Sequence, residues 1–289
     1  MASLLDMRRR IRSVKNTQQI TKAMKMMSAA RLRRAQESVT ASRPYAKLMR
    51  QFLGRMVASL PVADDDKPLH PLLAKRPEKR ILLLVLGGDK GLAGAFNTNI
   101  HKAAQGFLDH HSDRHIDMIA IGRKPRDFFK RRRALTADFA DIFAKVRYEN
   151  AKEIAKIVVQ MYSEDKVDAV YVLYNEFKSV LVQKLQIEQL LPVETPPAPE
   201  SGIATDYIFE QTPAEILNSL LPRYVEVQLF RSLLESAAAE HAARMTAMDS
   251  ASKNAADMID RLTLNMNRLR QATITREIIE IVSGAAALG

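Results

Sequence analysis

Residues 245–269, with the sequence MTAMDSASKNAADMIDRLTLNMNRL, contain the pattern that decides the fold. Eight positions in this stretch recur at alternating intervals of three and four residues: Met245, Met248, Ser252, Ala255, Ile259, Leu262, Met266 and Leu269. A heptad seam of this kind is typical of a helix that lies along a second helix. Because the seam holds few Leu and several Met, Ala and Ser residues, it predicts close but weak packing.

The helix that carries this seam is predicted to be very long. No Gly or Pro occurs from Arg223 to Ser283, and at 1.5 Å per residue this segment would extend about 90 Å. Thr212, Pro213 and Glu215 predict its start, with Thr as the N-cap, Pro at the first helical position and Glu at the third. Helices beyond about 25 residues are typical of coiled coils, membrane spans or repeats. The segment is too polar for a membrane span and lacks a repeat, which leaves the coiled coil.

The N-terminal end has the same character. Residues 2–43 contain neither Gly nor Pro. A narrow seam follows spacings of three and four, with small or polar residues in its gaps: Leu4, Met7, Ile11, Val14, Thr21, Met24 and Ser28. Two long helices at opposite ends of one chain have one economical arrangement, in which they pack against each other. We therefore predict a long antiparallel coiled coil of the N- and C-terminal helices.

The middle of the chain alternates between strand and helix patterns. Strands are predicted at 80–86 (RILLLVL), 116–121, 167–174 and 180–187, helices at 97–110, 125–132 and 150–162, and a last extended segment at 206–210. Strands that alternate with helices indicate βαβ units and a parallel sheet. The predicted fold class is therefore α/β, with a small Rossmann-like domain beside the coiled coil.

These elements predict four segments along the chain. An N-terminal helix covers 1–60, an α/β domain covers 80–210 and a C-terminal helix covers 211–289. The linker between the first two, at 61–79, is marked by four prolines and a run of three aspartates.

The charge of the chain is concentrated at one end. The chain has 44 basic and 33 acidic residues, which gives a formal net charge of +11. Residues 1–50 hold 13 of the bases and only 2 of the acids, which accounts for the whole excess. A charge so localised implies an acidic partner for the N-terminal segment.

Composition excludes several classes of site. The chain has no Cys, which excludes disulfides, thiolate metal sites and cysteine nucleophiles and is typical of a reducing compartment. The longest apolar run, 81–86, is far shorter than the ~18 residues that a membrane span needs. Residues 8–12 carry four arginines, so the start has no apolar signal core. An Arg-rich organelle transit peptide is the alternative interpretation of this segment.

Two local patterns resemble ligand sites, and each has a simpler interpretation. The sequence GGDKGLAG at 87–94 lies where a Rossmann phosphate loop would lie, which would indicate a nucleotide-binding enzyme. It matches neither phosphate-loop motif, and a tight turn explains its glycines. His110, His111 and His115 could bind zinc, but their spacing matches no helical ligand pair. We therefore predict no cofactor and no metal.

The terminal helices raise two further alternatives. Glu277 and Glu280 lie about one helical turn apart and could serve acid–base chemistry, but a bare helix has no pocket. We therefore predict no catalytic residue. The basic N-terminal helix could bind nucleic acid. Its cations surround the helix and few aromatics accompany them, so stacking on single strands is disfavoured.

Three stretches of the chain resemble the ATP synthase gamma subunit. They are ITKAMKM at 20–26, which Ala29 and Ala30 follow, GDKGLAGA at 88–95, and ITREIIEIVSGAAA at 274–287. The C-terminal pattern of that family requires Thr, Glu, a further acid and Gly-Ala in this register, and all are present. The resemblance extends over the whole chain.

This resemblance implies a rotor rather than an enzyme. In that family the terminal helices form a coiled coil inside a ring of three alpha and three beta subunits, and the beta subunits carry out catalysis. The foot of the shaft binds the epsilon subunit and a membrane ring of c subunits, which proton flow turns. The chain would therefore couple proton flow to ATP synthesis or hydrolysis. It would bind no nucleic acid and would contact the membrane only through the complex.

The resemblance also implies contacts for individual residues. Those expected to face the ring of alpha and beta subunits are Met24, Lys25, Arg244, Arg270, Gln271, Thr275, Glu277 and Glu280. Among them, Met24 and Lys25 match the motif that faces the acidic lever of the beta subunit. Tyr207 and Glu210 resemble the foot segment near the membrane ring and the epsilon subunit.

The resemblance gives two expectations about regulation and location. Plant plastid relatives carry a cysteine-containing regulatory insert, and because this chain has no Cys, thiol switching is excluded. The start MASLL at 1–5 favours a bacterium over a mitochondrion. The expected location is the cytoplasmic face of the bacterial inner membrane, as a peripheral part of the ATP synthase complex.

Overall fold

Two very long helices, one near each end of the chain, flank an α/β segment. A computed structural model describes residues 4–59, 70–194 and 212–286. The helices are α1 (Leu4–Ser59), α2 (Phe96–His110), α3 (Arg123–Phe129), α4 (Tyr148–Ser163) and α5 (Pro213–Ala286), and a single 3₁₀ turn spans Pro71–Leu73. The strands are β1 (Arg80–Leu86), β2 (His115–Ile121), β3 (Ala137–Phe139), β4 (Ala169–Phe177) and β5 (Gln183–Leu191).

The five strands form one sheet in the order β3-β2-β1-β4-β5. The first four strands are mutually parallel, with Leu83 of β1 opposite Met118 of β2 and Tyr171 of β4. β5 returns antiparallel to β4 and forms one edge of the sheet. Parallel strands joined by helices are the expected product of βαβ units, and the predicted Rossmann-like α/β fold is confirmed.

Both faces of this sheet are buried. Side chains of β1 alternate between them: Leu82, Leu84 and Leu86 face one core, and Ile81, Leu83 and Val85 face the other. The first core is covered by α1, α4 and α5, which contribute residues such as Leu53, Ile154 and Leu229. The second is covered by α2 and α3, with Ile100 and Phe129. Burial on both faces explains why the strand RILLLVL is apolar without alternation.

The chain divides into two compact units. One contains residues 30–243, with the sheet, its covering helices and the adjoining parts of α1 and α5. The other contains the two ends of the chain, 1–29 and 244–289, and is built from helix alone in its described part. The four segments predicted from the sequence divide the chain differently, since they keep each long helix whole, and they remain a prediction.

The start of α5 is fixed by the predicted side chains. The backbone N–H of Glu215 donates to Thr212 Oγ1 at 3.4 Å, and the backbone N–H of Thr212 donates to Glu215 Oε2 at 3.1 Å. This reciprocal pair is a capping box, which satisfies two donors that the first helical turn leaves free. Pro222 and Pro44 lie inside α5 and α1, and neither ends its helix.

Within the helical unit, the predicted seams are the sides that the two helices bury. Met7, Thr21 and Ser28 are buried on α1, and the other predicted seam positions of α1 are half-buried. On α5, Met248 and Ala255 are buried and the remaining seam positions from 245 to 269 are half-buried. Small and flexible seam residues leave part of each contact open to solvent, as the composition of the seam predicts.

Candidate functional site on the terminal helices

Two pairs of polar side chains fix how α1 and α5 meet in the helical unit. The hydroxyls of Thr21 and Ser252 share a hydrogen bond of 2.8 Å. One turn further along α1, Lys25 Nζ donates to Asp249 Oδ1. Residue numbers therefore rise on one helix as they fall on the other, so the two helices are antiparallel, as predicted.

Asp249 is held in its charged form by two lysines. Lys25 reaches it from α1, and Lys253 reaches its second oxygen at 2.9 Å from the next turn of α5. The hydrogen bonds from these two lysines lower the pKa of Asp249 below its ordinary value. Lys25, which the resemblance assigns to the ring, thus already bonds within the chain. Met24 beside it is half-buried.

Arg244 differs from the other residues that were expected to face a ring. It lies where the helical unit begins on α5, and only 7% of its surface is exposed. Its packing inside this chain was not evident from the sequence. A contact between Arg244 and another subunit therefore remains a prediction.

The end of α5 extends past the described start of α1. Thr21 lies opposite Ser252. Counting back along α1 from Thr21 to Leu4, and forward by the same number of residues along α5, leads to about residue 269, because both helices rise by the same distance per residue. Every residue from 270 to 286 is exposed. We call this segment the C-terminal tail. It holds five residues that the resemblance assigns to the ring: Arg270, Gln271, Thr275, Glu277 and Glu280.

The C-terminal tail exposes apolar as well as polar side chains. Ile274, Ile278, Ile281 and Val282 follow one another at helical spacing and share one face. Their exposed fractions run from 47% to 70%. A face of this kind on a helix with no covering neighbour is typical of a surface that another molecule covers. Thr275 donates its hydroxyl to the carbonyl of Gln271 at 2.9 Å, within the helix.

The Gly-rich loop after β1 is held by bonds within the chain. The N–H of Gly88 donates to Asn97 Oδ1, and the N–H of Gly87 donates to the carbonyl of Ile121, both at 2.9 Å. A Cβ on Gly88 would lie 2.9 Å from the carboxyl group of Glu240 on α5, so this helix fills the space over the loop. The loop thus serves as a packed turn.

Asp89 is the central residue of this turn, and the sequence did not single it out. Its carboxylate is buried and accepts three backbone N–H groups, from Arg123 and Asp141 at Oδ1 and from Phe143 at Oδ2, each at 2.9 Å. Since these donors belong to the start of α3 and the loop after β3, one side chain joins three segments. An acidic residue among glycines was the only signal available.

The histidine cluster has local roles. His111 Nδ1 lies 2.9 Å from the carbonyl of Phe107, and His115 lies 3.5 Å from Asp117 on the same strand. The ring of His110 packs edge-on against that of His111. Within residues 4–59, 70–194 and 212–286, no group of three or more His, Asp or Glu side chains could hold a metal ion.

The segment of α5 that packs against the sheet buries polar residues that the sequence did not reveal. Ser232, Glu235 and Ser236 are each less than 4% exposed. Glu235 Oε2 and Ser236 Oγ have no hydrogen-bond partner among the described residues. Burial raises the pKa of Glu235, although Arg231 and Arg43 oppose this. Such positions are hidden in a sequence because only the fold determines which side of the helix is covered.

The two residues predicted for the foot segment and the membrane character of the helices remain to be described. Tyr207 and Glu210, together with the predicted segment 206–210, lie outside the described residues. Among the helices that the structure describes, none combines the length and the apolar character that crossing a membrane requires.

Comparison with known proteins gives one family. A family model described as ATP synthase matches residues 3–288. The ATP synthase gamma chain of Solibacter usitatus is 58% identical over 289 residues, which is 99% of each chain. That of Anaeromyxobacter sp. is 50% identical over 291 residues and covers both chains completely.

Solved structures share the fold. A chain of the Euglena gracilis mitochondrial ATP synthase, solved as OSCP/F1/c-ring, gives a TM-score of 0.69 at 18% identity, over 99% of this chain and 94% of that one. A chain of the Tetrahymena thermophila mitochondrial ATP synthase, from its central stalk and c-ring, gives 0.61 at 22% identity over 81% and 99%.

Proposed function

The chain belongs to the ATP synthase gamma chain family, and from this we propose that it is the central rotor shaft of a proton-driven ATP synthase. In this role it couples the turning of a membrane ring to ATP synthesis or hydrolysis on other subunits. It is a coupling subunit, and the catalytic residues belong to its partners. The comparisons give no support to the alternative of a basic nucleic-acid-binding protein.

One observation carries this proposal: the C-terminal tail is a bare helix with an exposed apolar face. Ile278 and Val282 have exposed fractions of 55% and 61%, and they lie one turn apart. Most of the stability of a helix in a protein comes from packing of its apolar face, so a surrounding surface would stabilise this end of α5. A sleeve formed by a ring of alpha and beta subunits would supply that surface without interlocking with it, which is what turning requires.

Charge supports the same arrangement at the same end of the helical pair. Residues 8, 9, 10 and 12 of α1 are all arginines, and all four are exposed. They extend beside the part of α5 that precedes the C-terminal tail. Acidic surfaces on the beta subunits would attract this segment over a distance of about 8 Å at physiological salt. Attraction that is not tied to one geometry is compatible with rotation.

The finer partners follow from the same role. We assign Met24, Lys25, Arg244 and the polar residues of the C-terminal tail to contacts with the alpha and beta subunits. We assign Tyr207 and Glu210 to the foot, next to the epsilon subunit and the c-ring. The complex would hold the chain at the cytoplasmic face of a bacterial inner membrane, with no direct insertion into lipid.

Co-expression with the alpha and beta subunits of the same organism tests the proposal. The full chain is expected to co-purify with them as a complex that hydrolyses ATP. Deletion of residues 274–289 removes helix that is exposed from 274 to 286, so thermal unfolding of the isolated chain should change little. In a complex that also holds the membrane sector and is reconstituted into vesicles, the deletion should nevertheless reduce ATP-driven proton pumping, because the sleeve loses its contact.

A matched control keeps the length of the tail. Replacing Asn265 and Asn267 by Gln, two exposed residues of α5 before the tail to which no contact is assigned, leaves the apolar face intact and should preserve assembly and pumping. If the full chain never enters a complex with the alpha and beta subunits, the proposal is wrong. The apolar-sleeve explanation alone would be wrong if the deletion left coupled pumping unchanged.

A further inference from the structure

Three glutamates from three elements meet on the face of the sheet that α1 and α5 cover. They are Glu176 of β4, Glu188 of β5 and Glu235 of α5. Burial raises the pKa of Glu235, and the negative charges of Glu176 and Glu188 raise it further. Carboxylates that act on one another in this way remain charged together only where each has donors of its own.

Two of the three carboxylates have such donors. Glu188 accepts the hydroxyl of Tyr174 at 2.9 Å and Nη2 of Arg231 at 2.7 Å. Both bonds favour the charged form of this carboxylate, because its oxygens can only accept hydrogen bonds while it is ionised.

Glu176 is supplied by its own hairpin. Nε2 of Gln186 donates to it at 2.9 Å, and Nζ of Lys178 lies 2.6 Å from its other oxygen. Burial opposes ionisation of Glu176, but the bonds from Lys178 and Gln186 outweigh burial and lower its pKa. Glu176 therefore stays charged in mild acid.

Glu235 is the carboxylate without such donors. It is 3% exposed, and its Oε2 has no hydrogen-bond partner among the described residues. Its Oε1 lies 3.7 Å from Nη2 of Arg43, which is ion-pair distance but beyond a hydrogen bond. Arg231 lies one turn earlier on α5, but its Nη2 is bonded to Glu188. Glu235 is therefore the member of this cluster that takes up a proton most readily.

Arg43 makes the contact of Glu235 a joint between elements. It belongs to α1, and its Nη2 also donates to the carbonyl of Phe177 at the end of β4, at 3.3 Å. One guanidinium thus joins α1 to both α5 and β4. Its side chain is half-exposed, so water can take the place of Glu235 if the carboxylate loses its charge.

We propose that Arg43 and Glu235 form a proton-sensitive joint between α1 and α5. Charged Glu235 holds Arg43 at the end of β4. A proton from the solvent that binds Oε2 of Glu235 removes the negative charge, and Arg43 then turns towards water. The chain takes up one proton in this step and loses one ion pair.

The pH dependence of the joint follows from the charges around Glu235. Those that act on it from the elements packed against it are Arg43 of α1, Arg231 of α5, Glu176 of β4 and Glu188 of β5. Arg43 attracts only the anion, so it stabilises the fold above the folded-state pKa of Glu235, and this stabilisation is lost as pH falls through that pKa. Burial favours the neutral acid and has the opposite pH dependence, so a coupling measurement is needed to isolate the joint.

The consequence for the assembly rests on the proposed function, in which α1 and α5 together form the shaft. Loss of the joint would leave α1 less firmly tied to α5 and β4, and this would lower the torsional stiffness of the shaft. Acidification would then weaken coupling without touching a catalytic residue.

A double-mutant cycle on the full chain tests the joint. It compares Arg43→Gln, Glu235→Gln and the double variant with the wild type, by urea unfolding at pH 8 and at pH 4.5. Glu235→Gln has the shape of the protonated acid, so it should fold. The control cycle uses Lys47→Gln in place of Arg43→Gln, because Lys47 is an exposed cation about one turn further along α1.

At pH 8, Arg43→Gln should change the unfolding equilibrium constant about fivefold more in the wild-type background than in the Glu235→Gln background. At pH 4.5 this difference should fall below about twofold, because Glu235 is then mostly protonated. The control cycle should stay below about twofold at both pH values. A coupling that is absent at pH 8, that persists at pH 4.5, or that Lys47 reproduces would overturn the proposal.

Co-purification with the alpha and beta subunits keeps the two proposals apart. The cycle is measured on the chain alone, so failure of the wild-type chain to assemble would contradict the rotor role and leave the joint standing. A chain that assembles but shows no pH-dependent coupling between residues 43 and 235 would contradict the joint and leave the rotor role standing.

Discussion

Replacement of Asp89 should destabilise the α/β unit more than its small side chain suggests. Only 7% of this residue is exposed, and its two carboxylate oxygens accept the backbone N–H groups of Arg123, Asp141 and Phe143. Asp89→Ala leaves three donors without their acceptor. Each buried donor that loses its partner costs about 1–3 kcal/mol. Because the bonds from Arg123 and Asp141 are only partly buried, we expect a total loss of about 4 kcal/mol, near the lower end of the sum.

Asp89→Asn separates the contributions of the two oxygens. The amide oxygen can still accept from Arg123 and Asp141, which share Oδ1. The amide nitrogen would then face the N–H of Phe143, where two donors oppose each other. We therefore expect a loss of about 2 kcal/mol, close to half that of Asp89→Ala.

Urea unfolding followed by tyrosine fluorescence measures the overall change, and hydrogen exchange at the three amides measures it locally. Asp109→Ala is the matched control, since Asp109 is exposed and its one side-chain bond among the described residues is to Gln105 in the same helix. The control should lie within about 0.5 kcal/mol of the wild type. If Asp89→Ala were equally mild, or if Ala and Asn cost the same, the role of this carboxylate would be refuted.

Three further substitutions test other parts of the structure. Gly122→Ala should cost at least about 3 kcal/mol of unfolding free energy, because a Cβ there would lie 2.0 Å from a carbonyl oxygen and φ is +102°. The control is Gly106→Ala, where a Cβ would meet nothing within 4 Å. Equal melting temperatures of the two variants would contradict the expectation. Glu235→Gln should raise the melting temperature at pH 8. Burial raises the pKa of this carboxyl, so its contribution to stability is present in acid and lost as pH rises through the folded-state pKa; the advantage of Gln should shrink towards pH 4, and an advantage that grows in acid would be the wrong sign. The double variant Thr21→Cys/Ser252→Cys replaces two hydroxyls that lie 2.8 Å apart and should form a disulfide. This disulfide should leave ATP hydrolysis by the assembled complex unchanged, because both helices turn together. Inhibition that a reductant reverses would show that the two helices move apart.

The parts of the fold that sequence predicted well are those in which burial leaves a regular pattern. The seams of α1 and α5 were read from their spacing because each helix buries one narrow side along the other. β1 was predicted with its observed bounds, Arg80–Leu86, because a strand covered on both faces is uniformly apolar. The capping box at Thr212 was equally predictable, since it depends on two residues that are three positions apart in the sequence.

Other elements left no such pattern. β3 is three residues long and partly exposed, which is too short for any period to appear. β5 begins at Gln183, three residues after its predicted start at Val180. The polar side chains of this edge strand do not mark where the hairpin loop ends and the strand begins. The buried polar side of α5 around Glu235 could not be predicted, because the sequence of a helix does not show which of its sides the rest of the fold covers.

The candidate site divides in the same way. The exposed helix end and its residues, such as Arg270 and Glu277, were found through resemblance, and the structure adds that they lie on a bare helix. Lys25 is expected from the resemblance to face a partner, and its bond to Asp249 becomes evident only in the folded structure. Asp89 was passed over because an acid in a Gly-rich loop is indistinguishable from an ordinary turn residue until its donors are known.

Rotation of the chain inside its assembled complex is the most direct test of the central claim. The chain has no Cys, so Lys102→Cys, at an exposed position on α2, provides a single attachment point for a fluorescent rod or bead. With the alpha and beta subunits fixed to a surface, we predict that ATP turns the label continuously in one direction. A complex that hydrolyses ATP while the label stays still would contradict the account.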